Sequence, residues 1–164
     1  MELKLSEANA QKAFDNAPEE FKQTLLLMYP ELNKNLRERI GGFADVCRIA
    51  GKNEADYVIT DSMDDDTKLL IVIKMCKLIQ RVFNKGEKIV WANTSQKKWT
   101  CFHKIIQDAS RPRGFRLVCN DYAYVNDCTF SGARPVLLNR EDAIFVYTKF
   151  TELFELLIEL SAND

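Results

Sequence analysis

The chain has 164 residues, of which 46% are hydrophobic and 29% are charged. This composition is typical of a globular protein and excludes an intrinsically disordered one. The length suits one domain, or one domain with a small N-terminal appendage. A chain of this size buries about two thirds of its unfolded surface, so it needs no disulfide or metal to fold. The net charge of −1 excludes a globally basic nucleic-acid binder but leaves room for a local basic patch.

The N-terminal part of the chain is predicted to be helical. Pro18 fits the first turn of a second helical piece, and Pro30 ends that piece. A short helix is predicted at 43–51, because two glycines interrupt the chain before it and a third stops it. We assign residues 1–58 to a helical N-terminal extension. Its second piece carries one apolar stripe at helical spacing, made of Phe21, Leu25 and Met28.

An acidic segment follows the extension. Residues 54–66, "EADYVITDSMDDD", hold six acids and no base. We interpret residues 59–66 as a linker whose last aspartates cap a helix, since acids at a helix N-terminus offset its positive dipole end. The helix is predicted from Thr67 to about Asn84. It has only a narrow polar stripe, which predicts burial on most sides; the stripe consists of Lys74, Lys77 and Arg81.

Short aromatic and β-branched runs occupy the region from Glu87 to Leu138. The runs "KIVW", "KWTCFHKI", "GFRLVC", "YAYV" and "PVLL" predict a meandering antiparallel sheet, with Pro135 opening its last strand. A final helix is predicted from Asn139, with Glu152, Glu155 and Glu159 on its wet side. The predicted fold class is therefore α+β. It has a small antiparallel sheet of three to five strands packed by two long amphipathic helices, which together form a domain at 67–164.

The cysteines predict the redox setting. No C-x-x-C spacing occurs and the count is odd, so those in predicted helices and strands are interpreted as free, small hydrophobic residues. The chain does not open with an apolar signal segment, and its longest apolar run is too short to span a bilayer. We expect a reducing, intracellular setting and no membrane partner. The cysteines are Cys47, Cys76, Cys101, Cys119 and Cys128.

Two segments carry a resemblance to a protein family. The segments "GGFADVCRIAG" and "GARPVLLNREDAIFVYTKFTELFELL" resemble small α+β proteins of bacteriophages and prophage-like mobile elements from gut anaerobes, over residues 37–157. The resemblance implies a phage-related origin and a bacterial host cytoplasm, and it implies no chemistry. The double glycine 41–42 and Pro135 depart from the family pattern. The matching residues are Arg39, Ile40, Phe43, Asp45, Cys47, Gly51, Gly114, Phe115, Gly132, Arg134, Glu141, Ala143, Phe150, Leu153 and Phe154.

A basic, aromatic segment is the candidate nucleic-acid site. Strand alternation puts Trp99, Cys101, His103 and Ile105 on one face, where His103 is interpreted as a core or rim residue. The opposite face is predicted to be wet, basic and aromatic, which is how several folds bind single-stranded nucleic acid. A loop with the sequence "SRPRGFR" would add phosphate contacts. The candidate residues are Lys98, Phe102, Lys104, Arg111, Arg113 and Arg116.

The main functional hypothesis is a non-enzymatic accessory binding protein that acts through protein–protein contacts or self-association. No nucleotide-binding, serine-hydrolase or zinc-protease motif is present, and no catalytic residue, metal site or cofactor is predicted. A single-stranded nucleic-acid binding module is the alternative. Weaker alternatives are a hydrolase based on a cysteine or a carboxylate, and an inhibitor or decoy that is directed at a host protein and uses the acidic residues 54–66. The interface candidates are Tyr122, Tyr124, Phe145 and Leu156.

Overall fold

The computed structural model describes residues 7–111, 113–124 and 135–162, without the side chains of residues 7, 8 and 119–124. The chain divides into two compact units, Met1–Asp56 and Tyr57–Asp164. The sequence places the end of the extension at residue 58, close to this division.

The first unit is helical. Its helices surround a small apolar core of Ala10, Leu25 and Leu32. Gly51 has a left-handed backbone, with φ 63°, and its N–H closes the last turn of the short helix predicted after the double glycine, so that prediction is confirmed. The helices are α1 (Glu7–Asn16), α2 (Glu19–Met28), α3 (Leu36–Arg39) and α4 (Phe43–Ala50), with a 3-10 turn at Pro30–Asn33.

The second unit combines helices with one hairpin. The two strands pair antiparallel, and a single bridge joins Trp99 to Leu137. Buried side chains of α5 and of the C-terminal helices form the core, among them Val72, Cys76 and Ile79 with Val146 and Phe154. The elements are α5 (Asp65–Phe83), β1 (Trp99–Gln107), β2 (Phe115–Tyr124), α6 (Arg140–Lys149) and α7 (Thr151–Ser161).

The predicted fold class is wrong. The described residues form seven α-helices and one two-stranded sheet, not a sheet of three to five strands packed by two long helices. Residues 115–119 of the run "GFRLVC" and residues 122–124 of the run "YAYV" belong to one strand, β2. The run "KIVW" forms a loop instead of a strand, because the side chain of Gln96 replaces a partner strand. Its Oε1 accepts from Val90 N–H at 2.8 Å, and its Nε2 donates to the Lys88 carbonyl at 2.9 Å.

The run "PVLL" makes its remaining hydrogen bonds to a helix. Gln80 Oε1 accepts from Val136 N–H at 2.9 Å. Asn84 Nδ2 donates to the Val136 carbonyl at 3.0 Å, and Asn84 Oδ1 accepts from Leu138 N–H at 3.0 Å. The side-chain amides of Gln80, in α5, and of Asn84, its C-cap, thus satisfy backbone groups of residues 136 and 138. Residues 136–138 therefore need no second strand beside them.

The C-terminal helix is broken at Phe150. The side chain of Asn139 accepts from two N–H groups of the first turn of α6, so its predicted role at the helix start is confirmed. The Thr151 hydroxyl donates to the Tyr147 carbonyl at 2.9 Å. A threonine bonded in this way competes with the backbone ladder and bends a helix. The single long helix of the prediction is therefore two shorter ones, α6 and α7.

The start of α5 matches its prediction. Asp64 is the N-cap, and its carboxylate accepts from Thr67 N–H at 2.7 Å and from Thr67 Oγ1 at 2.9 Å. These bonds favour the ionised carboxyl, with the backbone N–H as the larger cause, and they lower the pKa of Asp64.

The substitution Asp64→Asn is expected to reduce the acid sensitivity of folding. Asparagine keeps the cap but does not titrate. Because the folded-state pKa of Asp64 lies below its unfolded value, its contribution is present above the unfolded value of about 3.9 and is lost as pH falls through the folded value. Urea unfolding at pH 7 and pH 3 should show a larger loss of stability for the natural protein than for the variant. Equal losses would contradict this role of Asp64.

Candidate functional site

A β-bulge changes which residues of β1 face the helices. The pairing register shifts between Phe102 and His103. As a result Thr100 and His103, three residues apart, both contact Tyr147. The Thr100 and Tyr147 hydroxyl oxygens are 2.8 Å apart, and the His103 and Tyr147 ring centroids are 5.2 Å apart. Simple alternation over 98–105 is therefore wrong, because a bulge adds one residue to a strand.

Lys98 is not part of an exposed platform. Its side chain is 0% exposed, so its predicted exposure is wrong. Its Nζ donates to the carbonyls of Asn93 at 2.7 Å and Gln96 at 3.0 Å. The Trp91 ring centroid lies 6.0 Å from the same Nζ. The ammonium group holds together the loop before β1, since a buried charge requires such hydrogen bonds.

Phe102 and Lys104 are exposed, as predicted. Phe102 is 38% exposed, and Lys104 and Ile105 are also open to solvent. The aromatic and basic platform is thus reduced to one phenylalanine and one lysine on β1. Stacking on a single aromatic ring contributes about 1–3 kcal/mol for one base, so this pair alone makes a weak site.

The three arginines of the platform lie beside carboxylates. Two of the acids come from α7 and one from the hairpin turn itself. A nucleic-acid phosphate would be repelled by these acids as well as attracted by the arginines. The nitrogen–oxygen distance is 4.0 Å for Arg111 and Glu152 and 3.5 Å for Arg116 and Asp108, and Arg113 Nε also bonds Glu159 Oε2.

A small cleft lies between the hairpin turn and α7. Its volume is about 150 Å³, and it is lined by Arg111, Arg113, Glu152 and Glu155. Glu155 is only 2% exposed, so its predicted place on a wet face is wrong. Its Oε1 accepts from Leu117 N–H of β2 at 3.0 Å. The acids at positions 152, 155 and 159 share one face of a helix, and that spacing opposite a basic turn is the signal from which sequence reasoning could have predicted the cleft.

Of the four interface candidates, two have side chains that the structure describes, and both are at least partly buried. The Phe145 ring lies 5.7 Å from that of Phe83, so Phe145 packs within the second unit. Leu156 is half-buried. The backbones of Tyr122 and Tyr124 belong to β2, and their side chains lie outside the described residues.

An exposed apolar stripe on α2 is the feature that sequence reasoning missed. Phe21 is 56% exposed, Leu27 85% and Met28 61%, whereas Leu25 is buried. The predicted apolar stripe is therefore buried at Leu25 and exposed at Phe21 and Met28. The signal was present in the four consecutive apolar residues at 25–28, because four successive helical positions point in all directions and one core cannot cover them all. We call Phe21, Leu27 and Met28 the α2 stripe.

The described cysteines do not form a nucleophilic site. Cys47 and Cys76 are free and buried. Burial raises the pKa of the Cys76 thiol to about 12. Burial, followed by the charges of Glu54 and Asp56, also raises the pKa of Cys47. Cys101 is disulfide-bonded, so its prediction as a free cysteine is wrong. Since the thiolate is the reactive form, neither free thiol suits a cysteine hydrolase.

The described residues show neither a metal site nor a membrane-spanning helix, and the chain has no match among known proteins. Within the described ranges, no three His, Cys, Asp or Glu residues are placed to hold a metal ion. None of the described helices has both the length and the apolar composition required to cross a bilayer. Comparisons with protein-family models, with curated proteins and with solved structures find no match.

Proposed function

We propose that the protein is a non-enzymatic accessory protein of a phage or mobile element that acts by self-association through the α2 stripe. The phage context rests on the family resemblance of residues 37–157. The observation that carries the proposal is the exposure of the three large apolar side chains of the stripe on one helix.

The α2 stripe is built as a contact surface. Phe21 and Met28 are seven residues apart, so they lie one above the other, and Leu27 extends the patch sideways. Leu25 lies on the same face, three residues before Met28, and it holds the helix in place because it packs in the core of the first unit with Ala10. Fully burying one such side chain contributes about 1.5–3 kcal/mol. Two copies that cover this stripe therefore gain enough apolar burial to associate.

The charges of the hairpin favour protein contact over nucleic-acid binding. Of the six candidate residues, Lys98 is buried, and three arginines lie beside carboxylates. Phe102 and Lys104 are exposed on β1, one aromatic ring and one cation. Phosphate binding depends on accessible cations and on counterion release. The nucleic-acid alternative therefore has less support than self-association.

The double substitution Phe21→Ser/Met28→Ser is expected to raise the dissociation constant of self-association at least tenfold. The change removes apolar area from the contact while the buried Leu25 stays in place. Sedimentation velocity over a wide range of protein concentration measures the constant. The constant should change little between low and high salt, because apolar burial is not screened as phosphate contacts are.

The matched control is Leu70→Ser. Leu70 is 59% exposed on α5, so this variant also removes an exposed apolar side chain from a helix but leaves the α2 stripe intact. It should associate like the natural protein. A chain that is monomeric at all accessible concentrations, or a Leu70 variant as weak as the stripe variant, would overturn the proposal.

A further inference from the structure

We infer that the cleft lined by Arg111, Arg113, Glu152 and Glu155 binds a small zwitterion, an α-amino acid of about the size of alanine. This site lies in the second unit, and it goes beyond the self-association proposed for α2. The inference rests on two arginines that line one cavity, on a buried glutamate in its wall, and on the size of the cavity.

The two arginines keep donors for a ligand carboxylate. Arg113 uses its Nε for Glu159, and within the described part of the chain its two Nη groups make no hydrogen bond. The nearest carboxylate oxygen to Arg111 belongs to Glu152 and lies 4.0 Å away, which is beyond hydrogen-bond distance. Arginine binds a carboxylate through two parallel N–H donors, so either guanidinium suits the carboxylate end of an amino acid.

Glu155 provides the acceptor for a ligand ammonium group. Glu155 is a buried residue, with 2% of its surface exposed. Only Oε1 is hydrogen-bonded among the described residues, to Leu117 N–H at 3.0 Å. A carboxylate in such a place is costly unless it is paired and hydrogen-bonded. An ammonium group in the cleft would pair with Oε2, the oxygen that does not bond Leu117 N–H.

The charges around the cleft favour a ligand that carries both a positive and a negative charge. Two guanidinium groups line or border the cleft together with three carboxylates, those of Glu152, Glu155 and Glu159. A plain anion would meet the excess of carboxylates, and a plain cation would meet the arginines. A zwitterion places each of its charges beside the opposite charge.

The volume limits the size of the ligand. A cavity of about 150 Å³ is large enough for a molecule such as benzene, which has six non-hydrogen atoms. Alanine also has six. Pockets for drug-sized ligands measure about 300–1,000 Å³, so a nucleotide is too large for this cleft.

The test is a titration of the full chain at low salt, followed by ¹H–¹⁵N NMR spectra that include the arginine Nε–H signals. The probes are L-alanine, propionate (alanine without its ammonium group) and ethylamine (alanine without its carboxylate). We expect saturable shifts of Arg113 Nε–H with alanine, and a dissociation constant at least tenfold higher for each single-charge analogue. Absence of saturable alanine binding would overturn the inference. So would binding of propionate or inorganic phosphate that is as tight as that of alanine.

Single substitutions test the positive and the negative side of the site one at a time. Arg111→Gln and Glu155→Gln are each expected to weaken alanine binding at least tenfold, and the glutamine at position 155 keeps an oxygen for Leu117 N–H. Arg116→Gln is the control, because Arg116 pairs with Asp108 in the same hairpin and does not line the cleft. If the Glu155 variant does not fold, Arg111 still decides the question, since its side chain is 44% exposed. Alanine binding that survives in the Arg111 variant, or that is lost equally in the Arg116 variant, would overturn the inference.

Discussion

Asn84→Ala is expected to lower the free energy of unfolding by about 2–4 kcal/mol, because it leaves two backbone groups without partners. Asn84 is 5% exposed and holds the Val136 carbonyl and the Leu138 N–H, each at 3.0 Å. A buried group that loses its hydrogen bond costs about 1–3 kcal/mol, and alanine can replace neither bond. Urea denaturation monitored by far-UV circular dichroism measures the loss.

Two further variants serve as controls for Asn84→Ala. Asn139→Ala removes an asparagine whose bonds lie at the exposed start of α6, and loss of such a cap costs about 1 kcal/mol. Asn84→Asp keeps an acceptor for Leu138 N–H but has no donor for the Val136 carbonyl, so it should also be strongly destabilised. A loss for Asn84→Ala no larger than that for Asn139→Ala would show that the amide does not anchor residues 136–138.

The elements with local signals were predictable from the sequence. The start of α5 depends on Asp64 and Thr67, three residues apart, and the end of α4 depends on one glycine. Capping residues act over a single turn, so their effect can be deduced from neighbouring letters. The sheet was not predictable in this way. Residues 136–138 have strand-like composition, but their partners are amide side chains more than 50 positions earlier in the chain.

The prediction of the candidate site failed for the same reason, because a local pattern does not show which distant residues a side chain contacts. The sequence correctly predicted basic residues in the turn between the strands. It did not show that Arg113 bonds Glu159, which lies 46 residues later in the chain. Lys98 is buried because the carbonyls of its own loop fold around it, and composition does not show the path of a loop. The bulge after Phe102 then changes the facing of the strand, so period-2 alternation no longer applies. What the sequence could predict was the class of side chain in the region, not its exposure.

Cys101→Ala is expected to cost about 2–5 kcal/mol under oxidising conditions, which is the usual effect of removing a native disulfide. Cys101 lies on β1 and is disulfide-bonded, whereas Cys76 is free. Dithiothreitol should lower the melting temperature of the natural protein and leave that of the Cys101 variant unchanged. Cys76→Ala also removes a buried cysteine, yet it should keep the response to dithiothreitol. If the Cys101 variant responds to dithiothreitol as the natural protein does, the stability does not depend on this disulfide.

The same disulfide tests the expected intracellular setting, because disulfides are rare in proteins of a reducing cytosol. Protein made in a reducing cytoplasm can be quenched in acid, unfolded and alkylated, and its modified cysteines counted by mass spectrometry. Unfolding is necessary because burial raises the pKa of Cys76 to about 12, so its thiol reacts too slowly in the folded chain. Alkylation of all five cysteines would mean that the disulfide does not form in a reducing cytoplasm. Resistance of Cys101 to alkylation would mean that the bond forms and persists even there, since its burial on β1 protects it from cellular reductants.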